Sequence, residues 1–170
     1  MAEAFNEAVL PGAKAERYAA LADEVAAVLE GERNVVARLA TVAGMLAQAF
    51  ETYFWAGFYL VDPAKPGELV IGPYQGTLGC LRIAFGRGVC GTAASKRRTV
   101  IVPDVETFPG HIACDSRSRS EIVVPVMGPD GALLGVFDAD STGLAAFDEI
   151  DAAGIERILK ATFGAPPETP

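Results

Sequence analysis

Residues 120–141 read SEIVVPVMGPDGALLGVFDADS, and this stretch decides the fold. Two runs, Glu121 to Met127 and Leu133 to Asp138, are rich in β-branched and apolar residues, as strands are. Between them Gly128-Pro129-Asp130-Gly131 suits a tight turn, so the runs pair as an antiparallel hairpin. Pro125 has no N–H to offer a ladder and predicts an edge or a bulge in the first strand. Side chains alternate along a strand, which puts Asp138 and Asp140 on one face, with Glu121 brought close by the pairing. Three carboxylates so placed suit gripping an ammonium group or holding a proton through mutual repulsion; a solvated strand end is the plain alternative.

Outward from the hairpin, Trp55 to Val61, Leu69 to Tyr74 and Thr99 to Val102 are further strand-like runs punctuated by Pro and Gly. Helices flank them. Leu21, Val25, Val28 and Leu29 recur at helical spacing over about Lys14 to Glu30, with Gly31 as a stop. Asn34 is a good N-cap for a second helix carrying Val35, Leu39, Val42, Leu46 and Phe50. A last helix runs from about Phe147 to Phe163 with Ile150, Ile155, Ile158 and Leu159 as its apolar stripe. The fold class expected is α+β, one domain over 1–170 with a core of about 14–163 and short disordered tails.

Residues Thr77 to Ser120 hold Cys80, Cys90 and Cys114, the only histidine and much of the glycine, with little periodicity beyond a short helix at Gly91 to Lys96. Function is sought there. Cys90 sits near the start of that helix, where a thiolate is favoured, or else it is a small buried hydrophobe. Cys114 has His111, Arg117 and Arg119 nearby to lower its pKa and Asp115 to oppose them. His111 is read as a packing or hydrogen-bonding residue ahead of a base. Cys80, Cys90, His111 and Cys114 lack the spacing of a zinc knuckle, so no metal is expected; a dithiol couple explains the cysteines better. Trp55 and Tyr59 share a strand face, as core packing or as a wall for a small apolar group.

Composition narrows the classes. With 14 basic against 22 acidic side chains and a formal net charge of -8, the chain repels phosphate backbones, and nucleic acid is excluded as an expected partner. No apolar stretch approaches the ~20 residues of a membrane span, and the N-terminus lacks a secretory pattern, so a cytoplasmic location with reduced thiols is expected.

Taken together, Trp55-Ala56-Gly57-Phe58-Tyr59, Gly72-Pro73-Tyr74-Gln75-Gly76, Gly86 to Gly91, Phe108 to Asp115, Ser120 to Pro125 and Asp138-Ala139-Asp140-Ser141 resemble the ordered signature of the GAF-domain free methionine-(R)-sulfoxide reductases. The resemblance covers about Tyr18 to Leu159. It implies a six-stranded, mainly antiparallel sheet flanked by N- and C-terminal helices, a small closed pocket and commonly a homodimer. It also implies Cys114 as nucleophile, Cys80 as principal resolving thiol and Cys90 as an alternative one. Glu121, Asp138 and Asp140 match the family's substrate-binding carboxylates, and Trp55 its pocket tryptophan. Tyr74, where phenylalanine is common, and Leu81 after Cys80 depart from the pattern. The implied activity is reduction of free methionine sulfoxide without a cofactor, through a cysteine sulfenic acid and a disulfide recycled by thioredoxin or a similar dithiol. The rival readings are a small-ligand-sensing GAF module, which would need an output partner, and a peroxide-responsive thiol switch.

Overall fold

The computed structural model describes residues 13–164. Side-chain parity along three neighbouring strands, β1 (Trp55–Asp62), β5 (Ser120–Met127) and β6 (Leu133–Ser141), divides the molecule into two layers. Ala56 and Phe58, Ile122, Val124 and Val126, and Phe137 and Ala139 share one buried core with the helices. Residues of the opposite parity, Trp55, Tyr59, Val123 and Val136, face a second apolar cluster on the other side of the sheet. That second face carries the chemistry.

The complete sheet has the order β3-β2-β1-β6-β5-β4, with β2 at Lys65–Gln75, β3 at Arg82–Ala84 and β4 at Val100–Val102, and all its pairings are antiparallel. The expected hairpin is present as β5 and β6, in register from Ser120↔Ser141 to Met127↔Leu133. Pro125 lies on a local edge, although β5 as a whole sits between β6 and β4. β4 pairs only as far as Val123, so Pro125 lies where β5 has no partner on that side, and the irregularity falls at Val126/Met127. A missing N–H costs no ladder bond at such a place. β3 was not legible as a strand, since three residues are too few to display alternation.

α1 (Lys14–Val28), α2 (Val35–Ala49) and α4 (Glu149–Phe163) cover the first face. Asn34 caps α2, its side chain accepting from the Ala37 N–H at 3.0 Å. Phe50 lies just outside α2 in extended backbone and is buried. Asp148 caps α4 in a capping box with Asp151. Within α4 the apolar stripe differs from expectation at Ile150, which is 44% exposed; Ala152, Ile155, Ile158, Leu159 and Phe163 face the core instead. α1 docks on α4 through Tyr18, whose hydroxyl donates to Asp151 Oδ1 at 2.8 Å and hydrogen-bonds with Tyr53. Gly154 permits that docking, since a Cβ there would stand 2.2 Å from the Tyr18 ring. The tails expected to be disordered fall outside the described residues except Ala13 and Gly164. Among the described residues no helix is long and apolar enough to cross a membrane.

Candidate active site

On the second face a cavity opens between the sheet, α3 (Gly88–Lys96) and the loops carrying Cys80 and Cys114. Its apolar wall is Trp55, stacked on Tyr59 with ring centroids 5.7 Å apart and on Tyr74 at 5.2 Å. The indole N–H donates to the Thr77 carbonyl at 2.8 Å, which ties this wall to the loop leading into Cys80. Gly79 lets that loop pass close. A Cβ at Gly79 would meet Ile71 Cδ1 at 2.8 Å, the Tyr59 hydroxyl at 2.9 Å and the Trp55 ring at 3.0 Å. Trp55 and Tyr59 therefore share a face as their spacing suggests, and they line the cavity while belonging to the second core.

Register assembles the carboxylates. Asp140 is paired with Trp55 on β1 and with Glu121 on β5, while Asp138 is paired with Gly57 and Val123. Glu121, Asp138 and Asp140 all line the cavity. Burial drives the Glu121 carboxyl well above the ordinary carboxylate range, with repulsion from Asp140 adding to it. Burial does the same to Asp138, reinforced by Asp140 and Glu121. Asp140 is pushed up by burial to about 6, restrained by the hydrogen bond it accepts from Ser118 and by His111. The wall therefore favours holding protons at Glu121 and Asp138 more than at Asp140, which is left to carry negative charge at neutral pH. His111 Nε2 lies 3.3 Å from Glu121 Oε2, and burial lowers its pKa below the usual imidazole value.

The three cysteines take different positions. Cys80 and Cys114 are joined by a disulfide with Cα atoms 5.6 Å apart, and the Cys114 residue is exposed. This bond removes Cys80 and Cys114 from the zinc quartet considered in the sequence. Cys90 is the third residue of α3 and fully enclosed. The helix start does not favour its thiolate: burial pushes the thiol well up, and Asp138, Glu121 and Asp140 push it further. Its sulfur lies 4.0 Å from Glu121 Oε1.

Of the cations expected to serve Cys114, Arg117 is engaged elsewhere. Arg117 donates to Asp115 at 3.1 and 2.8 Å and lies over the Phe54 ring, 4.6 Å from its centroid. Asp115, which also accepts from the Thr77 hydroxyl at 2.8 Å, is held far below the usual carboxylate range by these partners. Ser118, Thr77 and Phe54 were not singled out from the sequence. Each acts through a partner distant along the chain, and no local spacing signals such a contact.

α3 begins without a side-chain cap on its first turn, and Arg87, Gly88, Val89 and Cys90 line the cavity. Opening backbone N–H groups of a helix attract anions. The cavity thus combines an anion-seeking end, an aromatic wall, a carboxylate wall and a disulfide at its mouth.

A family model described as "GAF domain" matches residues 32–160. The chain is 51% identical to "GAF domain-containing protein A" of Dictyostelium discoideum over 88% of this chain and 92% of that protein. It is 43% identical to "Free methionine-R-sulfoxide reductase" of Saccharomyces cerevisiae over 77% of this chain and 75% of that protein. Among solved structures, the free methionine-R-sulfoxide reductase of Neisseria meningitidis, in complex with its substrate, superposes with a TM-score of 0.84 at 50% identity, covering 88% of each chain.

Proposed function

We propose, because the chain belongs to the GAF-domain free methionine-(R)-sulfoxide reductase family, that it reduces free methionine (R)-sulfoxide to methionine in the cavity beside Cys114. One observation carries the reading: Glu121, Asp138 and Asp140 line the same cavity as Cys114, which is bonded to Cys80. The ionised Asp140 supplies the charge for the substrate ammonium. The uncapped start of α3 and Arg87 supply the end that takes its carboxylate. Trp55 forms the wall for the sulfoxide methyl and methylene groups. A peptide-bound sulfoxide has neither free charge and is poorly matched to this site.

In the reduced enzyme the Cys114 thiolate attacks the sulfoxide sulfur. The oxygen receives its proton from the Glu121–Asp138 pair, where burial and mutual repulsion favour the protonated form. Methionine leaves and Cys114 becomes a sulfenic acid. The Cys80 thiol condenses with it, forming the disulfide and releasing water. An external dithiol of the thioredoxin kind then attacks the disulfide, passes through a mixed disulfide and leaves both thiols reduced while it is itself oxidised. Exposure of Cys114, with Leu78 and Leu81 75% and 68% exposed beside Cys80, supports access by a protein dithiol.

The deciding experiment measures methionine release from each free sulfoxide epimer and from a peptide-bound sulfoxide, using wild type and Cys114→Ser with a small thiol reductant. Turnover confined to the free R epimer and lost in the variant is expected. Equal turnover of the peptide, or none with either free epimer, overturns the assignment.

A further inference from the structure

The cavity also brings together a donor set of a different kind. Cys90 Sγ, a Glu121 carboxylate oxygen and an Asp138 carboxylate oxygen lie within 4.8 Å of one another, and all three residues are buried. Asp138 Oδ1 is buried without a hydrogen-bond partner, a polar atom left unsatisfied within the cluster's own residue. His111 Nε2, 3.3 Å from Glu121 Oε2, stands at the edge of the same cluster. None of this could be read from cysteine spacing, because Glu121 and Asp138 reach Cys90 only through the packing of α3 on the sheet.

We propose that Cys90, Glu121 and Asp138 form a binding site for a thiophilic divalent cation of the Zn²⁺ type, with His111 or a water as the fourth ligand. One sulfur, carboxylate oxygens and an imidazole suit zinc, whereas magnesium and calcium prefer all-oxygen shells. Bonds of about 2.0 to 2.3 Å in a tetrahedral shell place ligand atoms about 3.5 Å apart. Cys90 Sγ and Glu121 Oε1 at 4.0 Å are near that spacing already. On binding, the Cys90 S–H bond and the carboxyl O–H bonds of Glu121 and Asp138 break, their protons go to solvent, and the sulfur and oxygen lone pairs form the bonds to the metal. No electrons are transferred. The bound cation occupies the two carboxyls assigned above to protonating the sulfoxide oxygen, so zinc and turnover exclude each other; that consequence, unlike the binding itself, rests on the proposed function.

The test uses the oxidised protein, in which the Cys80–Cys114 bond keeps those thiols from acting as ligands. Zn²⁺ is titrated against a chromophoric chelator, and Co²⁺ is added separately to read the thiolate-to-cobalt charge-transfer band. One equivalent per chain, a thiolate band in wild type, and about tenfold or greater weakening in Cys90→Ser and Asp138→Asn are expected. No uptake of zinc, uptake unchanged in Cys90→Ser, or a cobalt complex of wild type without the thiolate band overturns the proposal. The cobalt spectrum of wild type decides even if a variant folds poorly. Methionine release is measured apart from this, so the metal site and the reductase reading fail independently.

Discussion

Glu121 on β5 and Asp140 on β6 stand directly opposite each other in the antiparallel register. Like charges at such a position repel, and within a buried wall the repulsion is relieved by protonation. A pairing that would weaken an ordinary sheet instead keeps a proton at Glu121 beside a charge at Asp140, which suits a site that must both hold an ammonium and protonate an oxygen.

Replacing either buried acid tests this division of labour. Glu121→Gln and Asp138→Asn are expected to lower kcat/KM for free methionine (R)-sulfoxide by about 10- to 100-fold or more, the scale of a lost charge-assisted hydrogen bond. Peroxide should still drive formation of the Cys80–Cys114 disulfide in both variants, as counted by free thiols. Loss of that oxidation as well would show a general disruption of the cavity.

Binding should depend on pH through Asp140. Its carboxyl titrates at about 6, so the negative charge is complete well above that pH and disappears as the pH falls through it. KM for the free sulfoxide should therefore rise on acidification through about pH 6. Asp140→Asn should show a raised KM without that step. A KM that stays level across the interval in wild type would remove Asp140 from ammonium binding.

Gly79 controls the approach of the Cys80 loop to the aromatic wall. Gly79→Ala puts a methyl group within 3.0 Å of Ile71, Tyr59 and Trp55. The loop must move, and Cys80 with it. A fall of about tenfold or more in the rate of disulfide formation after a single turnover is expected, read by rapid quench and thiol labelling, with smaller change in the methionine burst.

Gly154 is a purely structural counterpart, remote from the cavity. Gly154→Ala drives a Cβ to 2.2 Å from the Tyr18 ring, so α1 is displaced from α4. A loss of about 1–3 kcal/mol in unfolding free energy, measured by chemical denaturation, is expected, with kcat/KM little changed in the folded protein.

The disulfide should also register in stability. It closes a loop with a sequence separation of 34, and such a link stabilises by about 2–4 kcal/mol through its effect on the unfolded chain. The oxidised protein should therefore melt above the reduced one. Cys80→Ser should abolish the difference.

Much was legible in the chain because it follows from local pattern. The 120–141 hairpin, the Asn34 cap and the common face of Asp138 and Asp140 all depend on turn chemistry and on the two-residue repeat of a strand, which act over a few residues. Tertiary structure alone decided the rest. It enclosed Cys90 among carboxyls, so burial outweighed the helix start that spacing suggested. It turned Arg117 towards Asp115 and Phe54, set Ser118 on Asp140, and left Pro125 beyond the reach of β4. Solvation and charge contacts of this kind depend on which distant segments meet, and no periodicity in a single sequence records those meetings.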